Sequence, residues 1–273
     1  MPKSTAQRRA IHAMRGNTGV GKSAIIAQGV IPELEPPVPT VDPDRFKSAL
    51  LAETGPGIIG RQVQDEAVML SRRFLAQLLD APAAEFPNIV IDKRLLDVDN
   101  VRALAEEARR RNAELNVFDI DAPLEQSLIE VLLREISGAA AVVPFDVVGR
   151  FGFVPARKNR RGIIKLFRAD PKLGRYELYA TTPSGDLVLV ARVAEGKLEI
   201  ADRELFAEVT DGDALAEVDR LADTRITAQE ISRVTGGFEE GEFKRQVVQA
   251  LGEYEGQTWR EALDGHARWR PVQ

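Results

Sequence analysis

Residues 16–23 read Gly-Asn-Thr-Gly-Val-Gly-Lys-Ser, the pattern G-x-x-x-x-G-K-S. Gly16, Gly19 and Gly21 let the backbone turn so that successive N–H groups converge on one point, and the helix that follows adds its positive end. In this pattern Lys22 reaches the β- and γ-phosphates of a nucleotide and the Ser23 hydroxyl binds Mg²⁺. Asn17, Thr18 and Val20 complete the loop. The chemistry implied is phosphate binding, with ATP as the expected nucleotide, since no N/TKxD guanine-reading motif is present. A second group of residues lies one strand later, in "VDPDRFK", where Asp42 and Asp44 stand ahead of Lys47. Carboxylates at the carboxyl end of a strand lie where open α/β sheets bind ligands. An Asp there can take the proton of an acceptor hydroxyl. Either one can instead cap the helix that Pro43 begins.

These residues need elements to hold them. Residues 9–15 read as a first strand and 22–29 as the helix after the loop, which is the context a phosphate loop requires. A short strand is expected near 38–42 and a helix over 43–53. Residues 60–80 place Val63, Ala67, Leu70, Phe74 and Leu78 at helical spacing. "NIVID" (88–92) and "LNVFDID" (115–121) have strand length, with helices expected at 97–112 and 122–137. Strands alternating with helices predict an α/β fold, a P-loop NTPase-like three-layer sandwich on a mainly parallel sheet. After residue 155 the pattern changes. "RGIIKLFRA", "GRYELYATTPSGDLVLVARV" and "GKLEIAD" read as antiparallel strands, with a hairpin at "TPSGD". Helices are expected at 213–222, 227–235, 240–252 and 257–266. The division expected is a kinase-like core over 1–155 and a C-terminal α+β appendage over 156–273.

The bulk composition removes several functions. The chain has 273 residues, 44% of them apolar, and carries a formal charge of −5. The acidic balance argues against a general nucleic-acid binder. There is no cysteine, so disulfides, thiolate metal sites and cysteine nucleophiles are excluded. The two histidines, His12 and His266, do not suggest a metal site. No apolar run approaches the roughly 20 residues that span a bilayer, and the N-terminus lacks the apolar stretch of a signal peptide. A cytoplasmic protein is expected, with delivery by a specialised secretion system leaving no readable trace.

The loop followed by "DPDRFK" (42–47) resembles the zeta toxins, P-loop kinases of bacterial toxin–antitoxin systems, whose second motif is D-x-D-x-F-(K/R). The resemblance spans residues 9 to about 155. It implies that Asp44 is the base that activates the acceptor hydroxyl. It implies an acceptor pocket lined by the helix containing "RQVQDEAVML", with Gln62 and Glu66 one turn apart and Gln64 where histidine is frequent. Asp92, ending "NIVID", becomes the counterpart of the acidic residue after the next strand, near both acceptor and Mg²⁺. The family continues there with Gly-Thr; this chain has "KRLLD". Arg134 and Arg150 fall where the family carries arginines that clamp the ATP phosphates. The implied acceptor is nucleotide-like: UDP-N-acetylglucosamine on its sugar 3′-hydroxyl, or NAD on its adenosine ribose. A neutralising antitoxin or chaperone protein is the implied partner, with no nucleic acid and no membrane. Two other readings stand beside this one, a nucleotide-binding interaction module without turnover and a non-toxic metabolic kinase. The basic run Arg157, Lys158, Arg160, Arg161, Lys165 and Arg168 reads either as an electropositive lip for the acceptor or as a solvated loop and strand face.

Overall fold

A computed structural model describes residues 9–27, 29, 31–34, 38–54, 62–136, 143–182 and 184–267. Its centre is a seven-stranded sheet in the order β2-β3-β1-β4-β5-β6-β7. The first strand, β1 (Ala10–Gly16), pairs in parallel with β3 (Asn88–Asp92) on one side and β4 (Glu114–Asp121) on the other. The short β2 (Thr40–Val41) lies in parallel beyond β3. These strands are near-continuous apolar runs because helices cover both faces of a parallel sheet. The loop motif follows β1 and opens α1 (Lys22–Ala27). β2 leads into α2 (Pro43–Thr54), which packs against α3 (Gln64–Asp80). α4 (Val98–Arg110) follows β3, and α5 (Leu124–Ile136) follows β4. Each element in this half falls where hydrophobic period and turn residues placed it. Gln62 is the exception, because it lies in the turn before α3 rather than on the helix.

The C-terminal half is not a separate sheet. β5 (Gly174–Thr181) pairs in parallel with β4, and β6 (Leu187–Ala194) and β7 (Lys197–Ile200) continue antiparallel from it. The hairpin closes where expected, with Thr182 N donating to Asp186 O at 2.8 Å. The boundary drawn at residue 155 therefore crosses a continuous sheet. "RGIIKLFRA" is not a strand but α8 (Arg160–Ala169). Its buried residues are Arg160, Ile163, Ile164 and Phe167, the i, i+3, i+4, i+7 set of a helix face rather than a strand's alternation. A helical run precedes it. α6 (Phe145–Val148) passes through a π turn (Gly149–Phe153) into α7 (Val154–Lys158). The remaining helices are α9 (Arg203–Asp211), α10 (Ala214–Asp223), α11 (Ala228–Thr235), α12 (Glu242–Gly252) and α13 (Trp259–Ala267). Of these, only α9 went unread in the sequence. Asp202, Asp213 and Thr227 cap α9, α10 and α11 with side-chain bonds to backbone N–H groups, each worth about 1 kcal/mol.

The apolar core has three parts. One lies on the α3–α4–α8–α9 side of the sheet, and one on the α1 face around Met14, Phe118 and Ile120. The third joins α5 and α6 to α10–α13 around the fully buried Trp259. Trp269 lies outside the described residues. Among the described residues, no helix is long and apolar enough to cross a membrane.

Candidate active site

The phosphate loop leaves β1 in a conformation that only glycine tolerates. Gly16, Gly19 and Gly21 have φ of 144°, 81° and 76°. At Gly19 space is a second constraint, since a Cβ there would lie 2.4 Å from the carbonyl oxygen of Ser127 on α5. That contact sets α5 directly against the loop. Ser127 and Arg134 are seven residues apart, so they share a helix face, and Arg134 comes round toward the lysine. Lys22 Nζ arches back across the loop and donates to Gly16 O at 3.2 Å and Asn17 O at 2.7 Å. Burial pushes its ammonium down to about 8; the charges acting on it are Asp92, Arg134, Arg94 and Asp44, the acids opposing the fall and the arginines adding to it. Three of the four are residues the sequence singled out.

Ser23 Oγ donates to Asp92 Oδ2 at 2.9 Å, joining the loop to the end of β3. A hydroxyl and a carboxylate side by side are hard oxygen ligands, suited to Mg²⁺ completed by phosphate oxygens and water. The residues thus fit the metal that the loop motif implies. At the end of β2, Asp42 accepts from Asp44 N at 2.9 Å and so caps α2. Burial raises the Asp42 carboxyl, and the neighbouring Asp92 and Asp44 charges act in the same direction. Asp44 itself is exposed in the first turn of α2, its backbone fixed by the cap. Lys47 is half-buried one turn further on. Gln62 and Glu66 are exposed at the start of α3.

Arg150 is tied to acidic side chains. On the π turn, its guanidinium is engaged by Asp219 of α10 at 2.5 Å and Asp146 at 3.4 Å. What the π turn brings to the loop is Gly152. Asn17 is buried, donating to Val148 O at 3.0 Å and accepting from Thr18 N at 2.7 Å. A Cβ on Gly152 would sit 2.0 Å from Asn17 Oδ1. π turns concentrate at functional sites, and this one packs the second loop residue in place.

The basic run lies on helices rather than on a loop and strand, and only part of it is solvated. Arg157 and Arg160 are buried, and Lys158, Arg161, Lys165 and Arg168 are exposed on helices. Arg160 pairs with Asp119 at 3.2 Å and Asp121 at 2.6 Å, and Arg157 with Asp121 at 2.8 Å and Glu217 at 3.0 Å. Asp119 also accepts from Tyr176 Oη at 2.7 Å and pairs with Arg15, the residue before the loop. Burial alone would push the Asp119 carboxyl up, but Arg15 and Arg160 hold it below its usual range. This network is not legible in the sequence, since its members lie on six elements, β1, β4, β5, α7, α8 and α10. Arg94 was also missed, since it stood in plain view in "KRLLD" but was read only as a departure from Gly-Thr.

The chain is similar to a chain in the crystal structure of the AvrRxo1-ORF1:-ORF2 complex, with a TM-score of 0.84 at 34% identity, covering 96% of this chain and 81% of that one. The same complex with ATP gives a TM-score of 0.84 at 34% identity, over 98% of this chain and 83% of that one. A chain of the PezAT chromosomal toxin–antitoxin system of the human pathogen Streptococcus pneumoniae matches over 96% of this chain and 90% of its own, with a TM-score of 0.51 at 14% identity, a likeness of fold. No family model matches the sequence, and no curated protein matches it.

Proposed function

The chain belongs to the zeta-toxin family of P-loop kinases, and from that membership we propose that it transfers the γ-phosphoryl group of ATP to a hydroxyl of a nucleotide-type metabolite. The observation that carries this reading is the gathering of Asp44, Asp92, Arg94 and Arg134 around Lys22, beside the Ser23–Asp92 bond. P-loop switches and motors also carry an acidic partner for the loop serine, as Asp92 is here; the further carboxylate among the charges acting on Lys22, Asp44 at the start of α2, is what a phosphotransferase adds as a base for its acceptor.

In the step proposed, the acceptor hydroxyl oxygen bonds to the γ-phosphorus as the bond from that phosphorus to the β–γ bridging oxygen breaks. ADP leaves, and the hydroxyl proton passes to the Asp44 carboxylate. Lys22 and the loop amides hold the phosphates, and Arg134 takes up charge developing on the transferring group. Ser23 and Asp92 would hold Mg²⁺, which would supply positive charge to neutralise the phosphates. Arg150, already paired with two carboxylates, ties the π turn to α10 in this reading. Most of the rate enhancement comes from positioning and charge.

Two acceptors follow from the resemblance, UDP-N-acetylglucosamine at the sugar 3′-hydroxyl and NAD at the adenosine ribose. Incubation with ATP, Mg²⁺ and each in turn, followed by mass spectrometry, tests both. The expected result is one acceptor gaining the mass of a phosphate. If neither gains it while ATP still binds, the reading as a nucleotide-binding interaction module replaces this one. A protein partner that restrains the activity is part of the proposal, supported by the complexes of AvrRxo1-ORF1 with ORF2 and by the toxin–antitoxin setting of PezAT. Expression of the wild-type chain should arrest growth; normal growth beside measurable turnover would mark a metabolic kinase instead.

A further inference from the structure

Arg94 has a fixed backbone and an uncommitted charge. Its carbonyl accepts from the N–H of Gly16, the first loop residue, at 3.2 Å. Its side chain is exposed and, among the described residues, forms no ion pair. The next residue, Leu95, has φ of 44°, a left-handed conformation that costs a side chain with a Cβ on the order of 1 kcal/mol. Such strain persists where the surroundings over-determine it, and it concentrates at functional sites. Here the surroundings are Arg15. Its Nε donates to Leu95 O at 3.0 Å, and its Nη2 to Leu96 O at 3.1 Å and Ala156 O at 2.6 Å. Arg15 is fully buried and cannot swing, because Asp119 holds it and is itself held by Arg160 and Tyr176.

Strand order gives Arg94 a side. Across the sheet run β2, β3, β1 and β4. Asp44 follows β2, Arg94 follows β3, the loop follows β1, and Arg134 stands on the helix after β4. Arg94 therefore lies between the assigned base and the loop, while Arg134 lies on the loop's far side.

We propose that Arg94 meets the transferring phosphoryl group from the acceptor side, and that Arg15 positions it through the Leu95 turn. The inference rests on the kinase reading above and adds a cation to the same step. As the acceptor oxygen–phosphorus bond forms, the bond to ADP breaks and the proton goes to Asp44, Arg94 donates to the equatorial oxygens.

The test uses the full chain with Arg94→Ala, Arg94→Lys and Arg15→Lys, calorimetry for ATP, and turnover with the acceptor identified by mass spectrometry. Arg94→Ala should lower kcat by about 10²- to 10³-fold, the size of losing one preorganised donor, with ATP affinity and acceptor KM within about threefold. Arg94→Lys should recover part of the loss. Arg15→Lys keeps the buried charge but not the fork of bonds. It should lower kcat in the same direction, and its effect should largely vanish in the Arg94→Ala background, a coupling that general destabilisation would not produce. An unchanged kcat in Arg94→Ala, a loss confined to acceptor KM, or multiplicative effects of the two positions would overturn the proposal. Where Arg15→Lys does not fold, Arg94→Ala decides alone. If the wild type phosphorylates neither acceptor, the acceptor assignment fails separately. Arg94 is then read from ADP with aluminium fluoride, a mimic of the transferring group. Arg94→Ala should weaken that ligand by about tenfold or more beyond any change for ADP alone, and equal binding would overturn the assignment.

Discussion

Raising the pH from 7 to 9 should loosen ATP about tenfold, because the apparent Kd is the intrinsic value divided by the binding-competent fraction. The competent form is the one in which Lys22 is an ammonium. Burial lowers its pKa to about 8, so the charged fraction is about 0.9 at pH 7, about half at pH 8 and about 0.1 at pH 9. The second ionisation of phosphate, near 6, lies below this window. ATP binding at pH 9 should accordingly draw nearly one proton from the buffer, and at pH 7 almost none. Calorimetry in two buffers of different ionisation enthalpy reads both quantities. The heats should diverge at pH 9 and agree at pH 7. Lys22→Met should bind weakly with no pH dependence over this range. The stability of the ATP-free chain moves the other way. The folded pKa is depressed below the unfolded value, so between about 8 and 10.4 the unfolded chain binds more protons and stability rises with pH. A constant Kd from pH 7 to 9, or buffer-independent heats at pH 9, would refute the reasoning, since the lysine would then be titrating as it does in open water.

Asp44→Asn should leave ATP affinity within about threefold while cutting turnover about 10²- to 10⁴-fold, the usual contribution of a general base; turnover by mass spectrometry beside calorimetry checks it. Arg134→Ala should cost about 10²-fold in kcat, whereas Arg150→Ala, which breaks only exposed pairs worth about 0–1 kcal/mol, should change turnover less than about threefold, and steady-state kinetics of the two variants distinguish the roles. Gly152→Ala puts a Cβ into Asn17 and should cost about 1–3 kcal/mol, read as a lowered Tm with weakened ATP binding. Asp119→Asn leaves Arg15 without its buried counter-charge and Arg160 with Asp121 alone, and should destabilise by about 3–5 kcal/mol. The wild-type Asp119 is depressed in the folded chain, so its stabilisation is present at neutral pH and lost as the pH falls below the ordinary carboxylate range. Acid denaturation of Asp119→Asn should show a correspondingly flatter slope.

The parts of the site that were legible in the sequence are those whose geometry is local. A phosphate loop is one contiguous run, so Gly16 through Ser23 could be read with its strand and helix. Asp42 and Asp44 were legible because a strand end and a helix start lie within a few residues of each other. Arg134 needed the resemblance as well, because its approach to Lys22 depends on how α5 packs on Gly19. The reading of "RGIIKLFRA" as a strand failed although its burial pattern is helical. Ile163, Ile164 and Phe167 are spaced as a helix requires, yet so short an apolar run does not by itself separate helix from strand. Arg157 and Arg160 were misread for a different reason. Their partners, Asp119, Asp121 and Glu217, lie far away in sequence, and a basic run with distant acids cannot be told from a solvated one by inspection.

Those same arginines change what the C-terminal half is for. A parallel sheet that ended at β4 would leave that strand with an open edge, which folded proteins cover or pair; β5 pairs it. β4 also carries two buried carboxylates, Asp119 and Asp121. A buried charge without a partner costs several kcal/mol, and Arg15 alone could answer only one of them. Arg157 and Arg160, from α7 and α8, answer the rest. The charge on Asp119 is in turn what fixes Arg15 under the Leu95 turn. Through Gly149, packed on Val218 of α10, and Gly152, packed on Asn17, the π turn joins the C-terminal helices to the loop itself. Residues beyond 155 thus complete the sheet, neutralise its central strand and hold both the loop and the turn that bears Arg94. The catalytic motifs lie in the first half of the chain, but the geometry that makes them a site is set by both.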